Sequence, residues 1–185
     1  MKKFSVLLAI VVFAFGTNVM AQEHTLSPNS GVLHAGVAFG GYSYSNASSL
    51  PAINISYDRL LGQGTGPGFL SVGAVVGYKS ARRKYEAGGQ NYKDKWSNLL
   101  VGARVLYHLD VVNRNKFNVY FGSIVGVRIF SYDYGGGGFD ISRNSVSALV
   151  GGVAGAQYFF TNRIGAFAEV GYGIGFFNLG ASIKL

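Results

Sequence analysis

The chain has 185 residues, a net charge of +8, 28 glycines, 15% aromatic residues, three prolines and no cysteine. Charged residues are 13% of it, about half the share in soluble domains, which argues against an ordinary water-facing surface. The missing cysteine rules out a disulfide-stapled exported fold.

The opening stretch, MKKFSVLLAIVVFAFGTNVMAQ, sets Lys2 and Lys3 before an apolar run from Phe4 to Phe15, then Val19-Met20-Ala21. That run is too short to span a bilayer and has the order of a secretory signal peptide, cut between Ala21 and Gln22. Residues 1–21 are read as signal, 22–31 as a flexible polar segment, and 32–185 as one domain by length. After the signal no apolar run is long enough for a spanning helix; apolar residues are diluted at every second position.

Eight strands are expected from that period of two. In Val32–Tyr44, Leu33, Ala35, Val37 and Phe39 oppose His34, Gly36, Ala38 and Gly40. In Ala52–Leu61, Ile53, Ile55 and Tyr57 oppose Asn54, Ser56 and Asp58. Phe69–Arg82 sets Leu70, Val72, Ala74, Val76 and Tyr78 against Ser71, Gly73, Gly77 and Lys79. Trp96–Leu109 sets Leu99, Val101, Ala103, Val105 and Tyr107 against Asn98, Gly102, Arg104 and His108. In Phe117–Tyr132, Val119, Phe121, Val125, Val127 and Ile129 oppose Tyr120, Gly122, Gly126 and Arg128. Ser145–Phe160 is rich in Gly and Ala, with Ala154, Ala156, Tyr158 and Phe160 opposite Gly155, Gln157 and Phe159. Ile164–Gly173 and Phe177–Leu185 complete the set.

Two barrels fit such strands. A soluble one would turn the oily face inward and leave a glycine-rich exterior with few charges, which is poorly suited to water. A lipid-embedded one turns Val, Leu, Ile, Phe and Tyr outward and packs the Gly-and-polar face into a narrow lumen. Closure also leaves no unpaired edge in lipid. The reading is therefore an all-β, eight-stranded, antiparallel, up-and-down transmembrane β-barrel. Its outer loops fall at 45–51, 83–95, 133–143 and 174–176, its inner ones at 62–68, 110–116 and 161–163. Tyr42, Tyr44, Tyr78, Trp96, Tyr132 and Tyr134 form one expected interfacial aromatic belt, and Tyr57, Tyr107, Tyr158 and Phe160 the other.

The stretches VGARVLYHL, GAQYFF, GAFAEVGYG and LGASIKL resemble small outer-membrane β-barrel proteins of the OmpA/OmpX kind. The resemblance spans the whole domain but is carried by architectural motifs. It implies export to the outer membrane and recognition of the last strand by the barrel-assembly machinery. The family's terminal signal usually ends in Phe, whereas Leu185 stands here. Its members differ widely in activity, so the resemblance points to a place more than to a job.

Catalytic chemistry is sparse. Barrel enzymes acting on acyl chains need a serine near a histidine and an acid, and neither HAG at His34 nor HLD at His108 supplies a local His-x-Ser pair. Both histidines are read as lumen or rim polar groups. Ligand-capable residues are scattered, so neither metal nor cofactor is expected. YGGGGFD lacks the Lys-Ser/Thr and helix of a phosphate loop and is read as a loop tip.

Two charged sets remain. Glu169 lies inward with Phe167 and Gly171, because Ala166, Ala168, Val170 and Tyr172 take the lipid face. A buried carboxylate needs a cation. Arg104, at the same depth on its strand, is the expected partner; Asp58 competes for Arg104, Lys184 competes for Glu169, and Arg128 joins the lumen polar cluster. The second set is Lys79, Arg82, Arg83, Lys84, Lys93 and Lys95, suited to anionic lipopolysaccharide phosphates or to a plain solvated loop base. Nucleic acid is not an expected partner of an exported barrel. The functional expectation is a non-enzymatic structural or surface-interaction role with 83–95 and 133–143 as contact surface. A narrow pore or carrier of small molecules and a lipid-modifying enzyme are the alternatives.

Overall fold

A computed structural model describes residues 29–41, 47–63, 68–109, 116–136 and 139–185. The signal segment, the start of the polar segment, Tyr42 and Tyr44 lie outside the described residues. Among the described residues nine strands follow one another: β1 (Gly31–Phe39), β2 (Ser48–Ser49), β3 (Ala52–Gln63), β4 (Gly68–Ala87), β5 (Gln90–Leu109), β6 (Phe117–Gly136), β7 (Phe139–Phe159), β8 (Ile164–Gly171) and β9 (Phe177–Lys184). All pairings are antiparallel, β1 with β3 and β9, then β3 through β9 with their neighbours, and the β4–β5 pairing closes a ring of eight. The two-residue β2 sits outside that ring, on the upper part of β4.

Side chains alternate across the wall as the period of two requires. Ile55 (58% exposed), Val125 (57%) and Val150 (72%) stand outward with many other large apolar residues, while Asn54, Ser56, Asp58, Arg104, His108 and Glu169 are buried. The interior is filled in tiers. Val32, Leu60 and Phe159, backed by Phe69, close the inner end. Polar and charged groups occupy the middle. Above them Ala38, Ala52, Val75, Leu100, Ile124, Leu149, Val153 and Ile174 pack together.

Several strand limits differ from the sequence reading. β1 stops at Phe39 because Gly40 and Gly41 both adopt φ +75, a left-handed conformation that no strand continues. At the other end, Asn29 N–H and Ser30 C=O already bond to Leu60. The larger correction concerns 83–95 and 133–143, which are not loops. β4 and β5 run unbroken to a two-residue turn at Gly88 (φ +60) and Gly89 (φ +74), the paired positive φ that matches a hairpin's twist. β6 and β7 likewise continue to Gly136 and from Phe139.

β4, β5 and β6 have 20 residues each and β7 has 21, whereas crossing a bilayer takes about 9–11. Roughly half of each strand therefore projects beyond the membrane. The outward register marks the boundary. Tyr78, Leu99, Ile129 and Val146 align as one apolar row; Ser80, Ser97, Ser131 and Asn144 form the next; Arg82, Lys95, Asp133 and Ser142 the one above. Cysteines at Val72, Val101, Val127 and Ile183, all outward and at least 40% exposed, will carry spin labels relaxed by oxygen and not by aqueous nickel. Relaxation by nickel at these positions would place the wall in water.

Candidate functional site

The centre of the lumen is built on Arg104. Its Nη2 donates to Glu169 Oε2 at 3.0 Å, Nη1 donates to Ser56 Oγ at 3.2 Å, and Nε lies 3.0 Å from Asp58 Oδ1. One guanidinium thus holds two carboxylates, so Asp58 and Glu169 share the cation. Tyr120 O–H also donates to Glu169 Oε2 (3.2 Å), and Asn178 Nδ2 to Oε1 (3.2 Å), while Asn54 donates to Asn178 (2.9 Å).

Glycine makes these reaches across the wall. Gly73 stands in register between Asp58 and Arg104, and a Cβ there would strike Asp58 Oδ1 and the Tyr57 carbonyl. Gly155 stands between Tyr120 and Glu169, where a Cβ would lie 2.6 Å from the Tyr120 ring. A side chain at either position would block the polar contact passing over it.

The remaining lumen residues from the sequence reading lie elsewhere. Arg128, buried on β6, donates from Nη2 to the Gly173 carbonyl (2.8 Å) near Tyr172, in the upper lumen. Lys184 is opposite Val32 at the inner end, and the position across from Glu169 is taken by Asn178.

Two histidine strings escaped the sequence reading because their members are distant in the chain. Asn118 Oδ1 accepts from Gln157 Nε2 (3.2 Å) and lies 2.8 Å from His108 Nδ1. His108 Nδ1 must therefore donate, leaving Nε2 to accept from Ser71 Oγ at 2.8 Å. His34 Nδ1 meets Ser182 Oγ at 2.9 Å, with Nε2 3.5 Å from Asp58 Oδ2. Both strings have the connectivity of a nucleophile, base and orienting group. Ser71 and Ser182 are wholly buried, which leaves a substrate no approach to either hydroxyl.

Above the boundary rows the six cations do not form one patch. Arg83 and Lys79 turn inward. Arg83 Nε and Nη2 both donate to Asp94 Oδ2 (2.9 and 2.6 Å), and Lys79 Nζ donates to the Gly40 carbonyl (2.8 Å). Arg82, Lys84, Lys93 and Lys95 face outward, Arg82 opposite Lys95 and Lys84 opposite Lys93, with Glu86 near the tip and Asp133 beside Lys95. Ser142 Oγ donates to Asp133 (2.6 Å), and no group of three metal-capable side chains occurs among the described residues.

The inner side of the projecting sheet is aromatic. Tyr85 stacks on Tyr92 (5.3 Å), Tyr92 on Tyr134 (6.1 Å), and Trp96 on Tyr132 (5.6 Å). Trp96, Tyr132 and Tyr134 are thus mouth residues and not members of a lipid-facing belt, because they share the even-numbered register of Asp94, Asn98 and Arg128. Tyr78 does face outward. Tyr132 O–H donates to Asp94 Oδ1 (3.0 Å); burial first, then this bond, raises the phenol's pKa above its ordinary value.

No protein-family profile and no curated protein matches the chain. Solved structures do. Ail, the attachment invasion locus protein of Yersinia pestis, in complex with the heparin analogue sucrose octasulfate, matches with a TM-score of 0.50 and 15% identity. The N-terminal β-barrel domain of Pseudomonas aeruginosa OprF matches with a TM-score of 0.50 and 14% identity. In each case the match covers 86% of this chain and 100% of the other. The chain therefore has the fold of small outer-membrane barrels of the OmpA/OmpX kind.

The shared cation sets an order of cost. Arg104→Gln leaves two buried carboxylates without their cation and should destabilise by about 3–5 kcal/mol, less to the extent that the lumen is hydrated. Glu169→Gln leaves Arg104 with Asp58 and should cost less. Urea unfolding in detergent of both single variants and the double variant measures the coupling; equal single costs with zero coupling would contradict the arrangement.

Proposed function

We infer that this protein is an outer-membrane surface-interaction barrel, its projecting β4–β7 sheet being the contact surface and its lumen a sealed support. The observation that carries this is the unequal height of the wall. β8 and β9 have 8 residues each, and β8 pairs with β7 only as far as Val153. Above Gly152, which accepts from Tyr172 N–H, no strand among the described residues covers the outer edge of β7. An uncovered strand edge is a template for a partner's strand. Function at a surface explains why the chain builds it.

The outward cations suit attachment to the surrounding leaflet. Like charges directly across a ladder repel, yet Arg82–Lys95 and Lys84–Lys93 are two such pairs in successive outward rows, one and two rows above the serines. A phosphate between them turns that repulsion into binding, and lipopolysaccharide carries phosphates of that kind. The pore alternative is disfavoured by the filled tiers of the lumen, and the enzyme alternative by the burial of Ser71 and Ser182. The protein is read as a non-enzyme.

Replacing Arg82, Lys84, Lys93 and Lys95 by Gln should lower co-purifying lipopolysaccharide at least severalfold and flatten its dependence on salt. Retention unchanged from the parent would reduce the block to solvated surface. In planar bilayers the parent protein should show no steady conductance; resolved single-channel steps would instead favour the pore.

A further inference from the structure

The inner face of the projecting sheet contains a groove of about 500 Å³ lined by Trp96, Phe130, Tyr132, Arg143, Asn144 and Ser145. It straddles the level of the serine row, with Phe130 and Ser145 one row below and Trp96, Tyr132 and Arg143 one row above. These five share the face turned away from lipid, so lipid does not account for its rings. Aromatic surface left toward water in this way marks a binding site. Its walls are set in advance. Arg83, fixed by Asp94, lies 5.0 Å from the Tyr85 ring centre and 5.7 Å from that of Trp96, and Tyr132 is tied to the same carboxylate. Ligand binding there needs little further ordering.

Arg143 decides the charge of the ligand. It stands directly across from Tyr132 and is exposed, with no ion pair among the described residues. Asp94 is committed to Arg83 and Tyr132, and Asp133 faces the other side of the sheet. A free guanidinium beside a stacked indole and phenol, with a hydroxyl at the rim, fits a saccharide bearing carboxylates. The flat C–H face of a pyranose lies on the aromatic plate, the carboxylate takes the guanidinium fork, and a ring hydroxyl meets Ser145. Nearer the tip, Tyr134, Tyr92 and Tyr85 form a second aromatic cluster on the same face, with centre spacings of 6.1 and 5.3 Å.

We propose that this groove binds an acidic saccharide chain through the Trp96–Tyr132 plate and Arg143. The proposal rests on the reading of the projecting sheet as a contact surface and names what its inner face takes.

Trp96 is the single tryptophan of the chain, so its fluorescence reports on the groove directly. The full protein in lipid nanodiscs is titrated with tetragalacturonate and, in parallel, with neutral maltotetraose and an acidic tetrapeptide of equal charge. Calorimetry accompanies the fluorescence. The expected result is saturable binding of tetragalacturonate, at least tenfold tighter than either control. Arg143→Gln should weaken it at least tenfold and Tyr132→Ala should abolish it, with folding of both variants verified by heat-dependent gel mobility. Should Tyr132→Ala fail to fold, Arg143→Gln with Arg143→Lys decides alone, the lysine recovering part of the loss. No saturable signal by either method, equal affinity for the neutral sugar, or tighter binding of the peptide would overturn the proposal. So would binding that survives Arg143→Gln but is lost on Lys84→Gln with Lys93→Gln. Lipopolysaccharide co-purification should be unchanged by Arg143→Gln, so failure here is separable from failure of the surface reading.

Discussion

One cation between two acids organises the interior. A barrel that turns its apolar residues outward into lipid has few of them left for a core, and whatever fills the lumen must be specific as well as compact. Arg104 meets this demand by bringing Asp58 on β3 and Glu169 on β8 to one guanidinium across the bore. Unpaired, each charge would carry a large desolvation cost. Paired, they fix the rotation of three strands about their own axes, since a one-residue slip would send Asp58 or Glu169 into lipid. Tyr120, Asn178 and Ser56 complete the hydrogen bonds that the ions leave open.

That arrangement explains much of the glycine content. Contacts inside a closed sheet must pass over the strand that lies between the partners, and only a residue without a side chain lets them pass. Gly73 and Gly155 are in register at two such crossings. The apolar tiers then close the bore on either side, Val32, Leu60 and Phe159 below and Leu100, Ile124, Leu149 and Ile174 above.

The lipid and lumen faces were legible because period two contrasts strongly there: Val, Ile and Tyr against Gly, Ser and Asn. The inward turn of Glu169 follows from the same count. Where β4–β7 leave the membrane the contrast disappears, since both faces meet water, and the stretches 83–95 and 133–143 look like loops although their backbone pairing is continuous. Local composition misled in a second way. Trp96, Tyr132 and Tyr134 near strand ends resemble an interfacial belt, but parity with Asn98 and Arg128 turns them inside. The histidine strings were invisible, because Ser71–His108 and His34–Ser182 join positions 37 and 148 residues apart.

The run Arg82-Arg83-Lys84 shows what alternation does to function. Read along the chain it is a single basic patch; in the sheet, Arg83 leaves its neighbours for Asp94 and the aromatic plate. Outward, Arg82 and Lys84 face Lys95 and Lys93 with too few acids nearby to neutralise them. Inward, Arg83 is neutralised and serves to hold rings in place, while Arg143 keeps an unspent charge among them. One sheet therefore presents two chemistries from adjacent residues, a basic outer side and an aromatic inner side. Four strands that merely spanned the bilayer could present neither, because both depend on the half of each strand that rises beyond it. The proposed surface function rests on the excess length of β4–β7.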